Sequence, residues 1–175
     1  MSRIPPIQLS QTDAAPRSTL EDIKNKIGMV PNLYATFAHS PAALNAYLTM
    51  NDALGAGRFT AKERETIALA VGQANHCQYC VSAHTLIGKG AGLSEQELRQ
   101  ARAADEGNAL ASFAARIVES RGQLSDADIH KAQVLGLDEE AIVELVANVA
   151  LNILTNYLNH VADTEIDFPV VELSA

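Results

Sequence analysis

Residues 65–84 read E-T-I-A-L-A-V-G-Q-A-N-H-C-Q-Y-C-V-S-A-H, and the rest of the chain is organised around them. The stretch opens with Glu65 on a run, Ile67-Ala68-Leu69-Ala70-Val71, that is apolar on every side. A helix of that kind is buried, within a subunit or between subunits. Gly72, Asn75 and His76 then weaken the helix, and a second one begins at about Cys77 and runs to Ile87. Cys77 and Cys80 are the only cysteines in the chain.

In a helix starting at Cys77, Cys77, Cys80 and His84 lie within about 60° of one another, on one face. Cys80 and His84 stand four apart, so the imidazole can reach the Cys80 sulfur. Both cysteines occupy the first helical turn, where the dipole and the unpaired N–H groups favour a thiolate. A lowered thiol pKa and a nearby base are what a nucleophilic cysteine requires. The second thiol adds a partner, because a sulfenic acid formed on one sulfur is captured by the other before further oxidation.

Glu65 joins this group only if the chain turns. Were residues 61–87 one helix, Glu65 and Cys77 would stand about 18 Å apart. A reversal near residues 74–75 pairs the two helices antiparallel and sets Glu65 level with His84. The line Glu65, His84, Cys80 then has a carboxylate that orients and charges the imidazole, and an imidazole that takes the thiol proton. The other chemistry open to C-x-x-C-x-x-x-H is zinc, with His76 or Glu65 as a fourth ligand. Structural zinc sites usually draw their second ligand pair from a distant knuckle, and all the soft ligands here belong to one helix.

The remaining chain supplies helices and little else. At 175 residues and 47% apolar content it can bury a core as one domain. Residues 1–17, with Pro5, Pro6 and Pro16, read as an extended arm; residues 18–175 read as a single helical domain. Capping-box pairs occur at Ser18/Glu21, Thr60/Glu63 and Ser94/Glu97. Further helices are predicted over about 18–28, 32–40, 41–54, 94–104, 109–119, 126–135 and 139–161. No segment alternates apolar with polar residues in the manner of a strand. The expected fold is an all-α compact bundle of about seven or eight helices, with the Cys-x-x-Cys at a helix N-terminus and the apolar tail Asp167 to Leu173 packed on it.

Three features lie outside this core. Asn148, Asn152 and Asn156 recur every four residues along the last helix, followed by Asn159 and His160; the row is either a solvated face or a hydrogen-bonded strip between subunits. His39, His76 and His130 suit surface or capping roles. The net charge of −8, with basic residues scattered, disfavours nucleic acid and anionic membranes as partners. No N-terminal run suits a signal peptide and no apolar run reaches the roughly 20 residues of a membrane span, so the expected location is cytoplasmic.

Glu65, Cys77, Cys80 and His84 at these spacings, with the wording N-H-C-Q-Y-C-V-S-A-H-T, resemble the alkylhydroperoxidase D-like proteins of the carboxymuconolactone decarboxylase superfamily. The flanking M-V-P-N-L-Y-A-T-F-A-H-S-P and T-N-Y-L-N-H-V-A-D-T-E-I-D-F-P are similar to its peroxidase-related subgroup, so the resemblance spans most of the chain. It implies an all-helical fold assembled as trimers or hexamers, and an oxidoreductase that reduces alkyl hydroperoxides in peroxiredoxin fashion. In that scheme Cys80 is the attacking thiolate, Cys77 the resolving thiol, and His84 with Glu65 the proton relay. A dithiol or lipoyl-type protein is the implied electron donor, and no metal or organic cofactor is required. The decarboxylase branch generally lacks the cysteine pair. Tyr79 departs from the best-studied alkylhydroperoxidase D proteins, which place a histidine directly before the second cysteine. Two other functions stay open: a thiol/disulfide redox sensor without catalysis, and a superfamily enzyme acting on another small molecule.

Overall fold

The computed structural model describes residues 2–11 and 14–173; residues 1, 12 and 13 of the expected arm and 174–175 of the expected domain lie outside them. Nine α-helices and no strand are present among the described residues: α1 Ala14–Ile27, α2 Asn32–Phe37, α3 Pro41–Gly55, α4 Ala61–Ala74, α5 Gln78–Gly90, α6 Glu95–Arg102, α7 Ala109–Ser120, α8 Asp126–Val134 and α9 Glu139–Ala162. The all-α expectation holds, with a short 3-10 turn at Leu9–Gln11 added.

Local signals mark most of the boundaries. Thr60 with Glu63 and Ser94 with Glu97 form complete capping boxes, and Ser125 with Asp128 forms a third. Ser18 and Glu21 do not start a helix. The helix opens at Ala14, so Pro16 falls in its first turn, where the missing N–H has no intrahelical partner to lose. The arm before it is extended and anchored: Arg3 N and Ile4 N donate to the Ala162 carbonyl at 2.7 and 3.2 Å, and Ile7 N to Ala35.

The apolar run of α4 is the centre of the bundle. Ile67, Leu69 and Val71 are fully buried, and α5, α6, α7 and α9 pack around them within the one chain. Each such side chain contributes about 1.5–3 kcal/mol relative to exposure. One core joins α4 to α7, α8 and α9 through Ile67, Val71, Phe113, Ile117, Leu145 and Val149. A second joins α1, α2 and α3 to the start of α5 through Leu20, Leu33, Phe37 and Leu44. The two cysteines belong to this second core.

The helix α9 is 24 residues long and holds an 18-residue window with a mean hydropathy of 1.5, long and apolar enough by those measures to cross a membrane, contrary to the expectation that no run reaches that length. Its buried side carries Asn148, Asn152, Asn156 and Asn159 against α3, α4 and α5. The asparagine row is therefore neither solvated nor a strip between subunits. It faces the interior of its own chain, at 2%, 8%, 0% and 4% exposure.

Candidate active site

Three residues reverse the chain between α4 and α5. Asn75 caps α4, His76 takes the left-handed conformation (φ 54°), and Cys77 caps α5. Cys77 N donates to the Gly72 carbonyl at 2.8 Å, which closes the turn where the spacing predicted it. The Cys77 sulfur serves as the N-cap acceptor, taking the Cys80 N–H at 3.4 Å. Both sulfurs are buried, and the Cys77 thiol donates to Cys80 Sγ at 2.8 Å.

The antiparallel pairing brings Glu65 and His84 together. Glu65 Oε2 and His84 Nδ1 are 2.8 Å apart, with side chains 15% and 22% exposed. They border a cavity of about 50 Å³ whose wall also includes Tyr47, Asn152 and Thr155. Among the described residues no hydrogen bond joins His84 to the Cys80 sulfur. The sulfur is contacted instead by Cys77 and by Asn159, whose Nδ2 donates to it at 3.3 Å. The imidazole acts on Cys80 through its charge.

The electrostatics separate the two thiols. Burial opposes ionisation of Cys80, but the Cys77 hydrogen bond, the His84 charge and the amides of Asn159 and Asn156 outweigh it and lower the thiol to about 7. The hydrogen bond to Cys80, burial and the neighbouring thiolate push Cys77 far above its ordinary range. Burial pulls the His84 pKa down, yet the charge and hydrogen bond of Glu65 raise it on balance. Glu65, His84 and Cys80 thus follow one another, the imidazole and the Cys80 thiol each drawn toward the charged form, and the Cys77 thiol beside them is held toward the neutral one.

Tyr79 has no part in this line. Its hydroxyl accepts the Leu33 N–H at 3.2 Å, and its ring meets Phe168 edge-on at 5.6 Å. The tail is held on α5 and α2 as its composition required: Val171 N donates to Ser82 Oγ at 3.0 Å and Asn32 N to Asp167 Oδ2 at 2.7 Å. His76 is exposed, and among the described residues no three of His, Cys, Asp and Glu gather as a metal site. Asn75, Asn156 and Asn159 are functional candidates that the cysteine motif does not announce. The four-residue asparagine period on an otherwise apolar helix signals Asn156, with Asn159 close behind it; no pattern in the sequence signals Asn75.

Residues 41–120, which include Glu65, Cys77, Cys80 and His84, match the model of the carboxymuconolactone decarboxylase family. A crystallised peroxidase-related protein with an alkylhydroperoxidase D core, from Ralstonia eutropha JMP134, superposes with a TM-score of 0.83 at 26% identity, over 95% of this chain and 92% of its own. The chain has the alkylhydroperoxidase D-like fold. A second peroxidase-related protein with that fold, from Silicibacter sp. TM1040, gives a TM-score of 0.77 at 23% identity, over 93% and 92% of the two chains. A debrominase crystallised with 2,3,4-tribromopyrrole shares the fold too, with a TM-score of 0.78 at 20% identity, over 95% and 92%. No curated protein matches the sequence. In this chain α4 and α5 form a hairpin that sets the pair at a buried helix start, and α9, outside the matched segment, closes over it.

Proposed function

We propose that the chain is a thiol peroxidase that reduces small hydroperoxides with the Cys77/Cys80 pair. The observation that carries this reading is a buried Cys80 held at a thiol pKa of about 7, beside a histidine charged by Glu65 and a second thiol 2.8 Å away. The Cys80 thiolate attacks the terminal oxygen of the hydroperoxide; the S–O bond forms, the O–O bond breaks, and the departing alkoxide takes a proton supplied through His84. The Cys77 thiol then attacks the sulfenic sulfur, releasing water and leaving the disulfide. A dithiol such as a lipoyl-type donor restores both thiols by exchange.

Peroxide consumption with dithiothreitol or dihydrolipoamide tests this, comparing wild type with Cys80→Ser and Cys77→Ser. Cys80→Ser is expected to abolish turnover, and Cys77→Ser to slow it, since the Cys80 sulfenic acid must then wait for the donor itself and is open to further oxidation. Equal turnover in all three sinks the reading, and a single stoichiometric oxidation of wild type in donor excess makes the chain a sensor. Turnover of another small molecule in place of peroxide would make it a different enzyme of the superfamily. The debrominase likeness, at 20% identity, bears on the fold alone.

The working form is a cytoplasmic homo-oligomer, a trimer or hexamer, with no nucleic acid or membrane partner. In support, Val143, Val146, Leu154, Tyr157 and Val161 leave one side of α9 apolar and exposed, and the net charge is −8.

A further inference from the structure

The buried asparagines of α9 do not all spend their amide hydrogens alike. Asn148 Nδ2 donates to the Glu144 carbonyl at 2.9 Å, and Asn152 Nδ2 to the Asn148 carbonyl at 2.8 Å. Continuing that pattern, Asn156 would turn its amide back to the Asn152 carbonyl. That carbonyl already accepts the Thr155 hydroxyl at 2.8 Å in addition to its helical N–H, so both lone pairs are in use.

Asn156 Nδ2 is consequently left without a hydrogen-bond partner although the residue is 0% exposed. Its orientation is fixed from the α4–α5 turn, because Asn75 Nδ2 donates to Asn156 Oδ1 at 2.9 Å. Three residues on, Asn159 donates to Cys80 Sγ at 3.3 Å, and its own Oδ1 is buried without a partner. Buried polar atoms are rarely orphaned, and each such atom calls for an explanation. Here a donor that meets no oxygen acceptor, its one effect being to favour the Cys80 thiolate, and an unused acceptor belong to the two amides that act on one nucleophilic sulfur.

Resting on the reading that Cys80 attacks a hydroperoxide, we infer that Asn156 and Asn159 form an amide cradle that binds the hydroperoxide at the Cys80 sulfur. The O–H of the attacked oxygen donates to Asn159 Oδ1. The oxygen that leaves accepts from Asn156 Nδ2, so negative charge developing there as the O–O bond breaks meets a donor already in place. A compact R–O–O–H offers one donor and adjacent acceptors, which complements the pair. Thr155 is a positioning residue in this scheme, since its hydroxyl keeps the Asn156 amide from folding back on the helix.

The test uses the full chain and the variants Asn159→Leu, Asn156→Leu and Thr155→Val, each checked for helical circular dichroism. Two rates are compared at a pH where the sulfur is fully ionised: thiol loss with hydrogen peroxide, and alkylation by iodoacetamide, which has no O–O bond to polarise. Both leucine variants are expected to slow the peroxide step on the order of tenfold to a hundredfold, and alkylation far less. Thr155→Val preserves side-chain size and carries the same expectation should Asn156→Leu not fold. Folded Asn159→Leu and Thr155→Val proteins that react with peroxide at the wild-type rate overturn the cradle.

If the wild type consumes no hydroperoxide, the peroxidase reading fails separately. The cradle falls with it if the wild-type thiol is also not lost to peroxide, whereas wild-type turnover with variants that react at the wild-type rate overturns the cradle alone. Cys77, His84, Tyr47 and Tyr79, the titratable groups whose interaction reaches Cys80, are unchanged in these variants.

Discussion

Glu65 and His84 are nineteen residues apart in sequence and 2.8 Å apart in space, one on each arm of the α4–α5 hairpin. The carboxylate raises the imidazole pKa, and the imidazolium in turn favours the Cys80 thiolate. In Glu65→Gln the hydrogen bond can persist but the charge cannot. Alkylation of Cys80 and peroxide consumption at neutral pH are expected to fall about tenfold, as removal of an opposite charge shifts a pKa by roughly a unit or more. The alkylation rate should recover as the pH is raised.

The reactive form of Cys80 is the thiolate, and its pKa is lowered to about 7. Iodoacetamide labelling should therefore climb through about pH 7 rather than near the ordinary thiol value. The linkage signs differ for the two groups. Ionised Cys80 favours the fold fully above its unfolded pKa, and that contribution is lost as the pH falls through about 7. Protonated His84 favours the fold fully below its unfolded pKa, and that contribution is lost as the pH rises through its raised folded value. A labelling profile centred near the ordinary thiol pKa would contradict the first statement.

Tyr79 serves the architecture. Tyr79→Phe keeps the edge-on contact with Phe168 but leaves the Leu33 N–H buried without an acceptor. Urea denaturation should show a loss of about 1–3 kcal/mol. The Cys80 labelling rate should stay at the wild-type value.

His76 occupies the left-handed region that the hairpin turn needs. His76→Gly is expected to stabilise the protein by up to about 1 kcal/mol, and His76→Val to destabilise it by about 1–2 kcal/mol. Peroxide turnover of the glycine variant should be unchanged, which chemical denaturation and the donor-linked assay together would check.

Much of this molecule is written locally. The boxes at Thr60 and Ser94 work within four residues, so the starts of α4 and α6 are legible without the fold. The pairing of Glu65 with His84 is legible for a related reason: two helices joined by a tight turn have their register set by the turn. One boundary depends on neighbours in space. The helix α5 runs past Ile87 because Gly88 is buried close to Leu93 and Leu98, which lie beyond the helix end, and its lack of a side chain admits them. Pro16, expected in an extended arm, is instead inside the first turn of α1 for a local reason, since a first-turn N–H has no intrahelical partner to lose.

The residues that meet the Cys80 sulfur show the limit most clearly. Composition and spacing alone specified an all-helical chain, a buried central helix and a Glu65–His84–Cys80 grouping, because each depends on periodicity or on a short turn. That Asn159 reaches the sulfur across 79 residues, and that the asparagine row faces inward to the site, was decided only when α9 packed over the hairpin. The rotation and register of a long helix against distant partners follow from the sum of its side-chain contacts, and no local pattern encodes that sum.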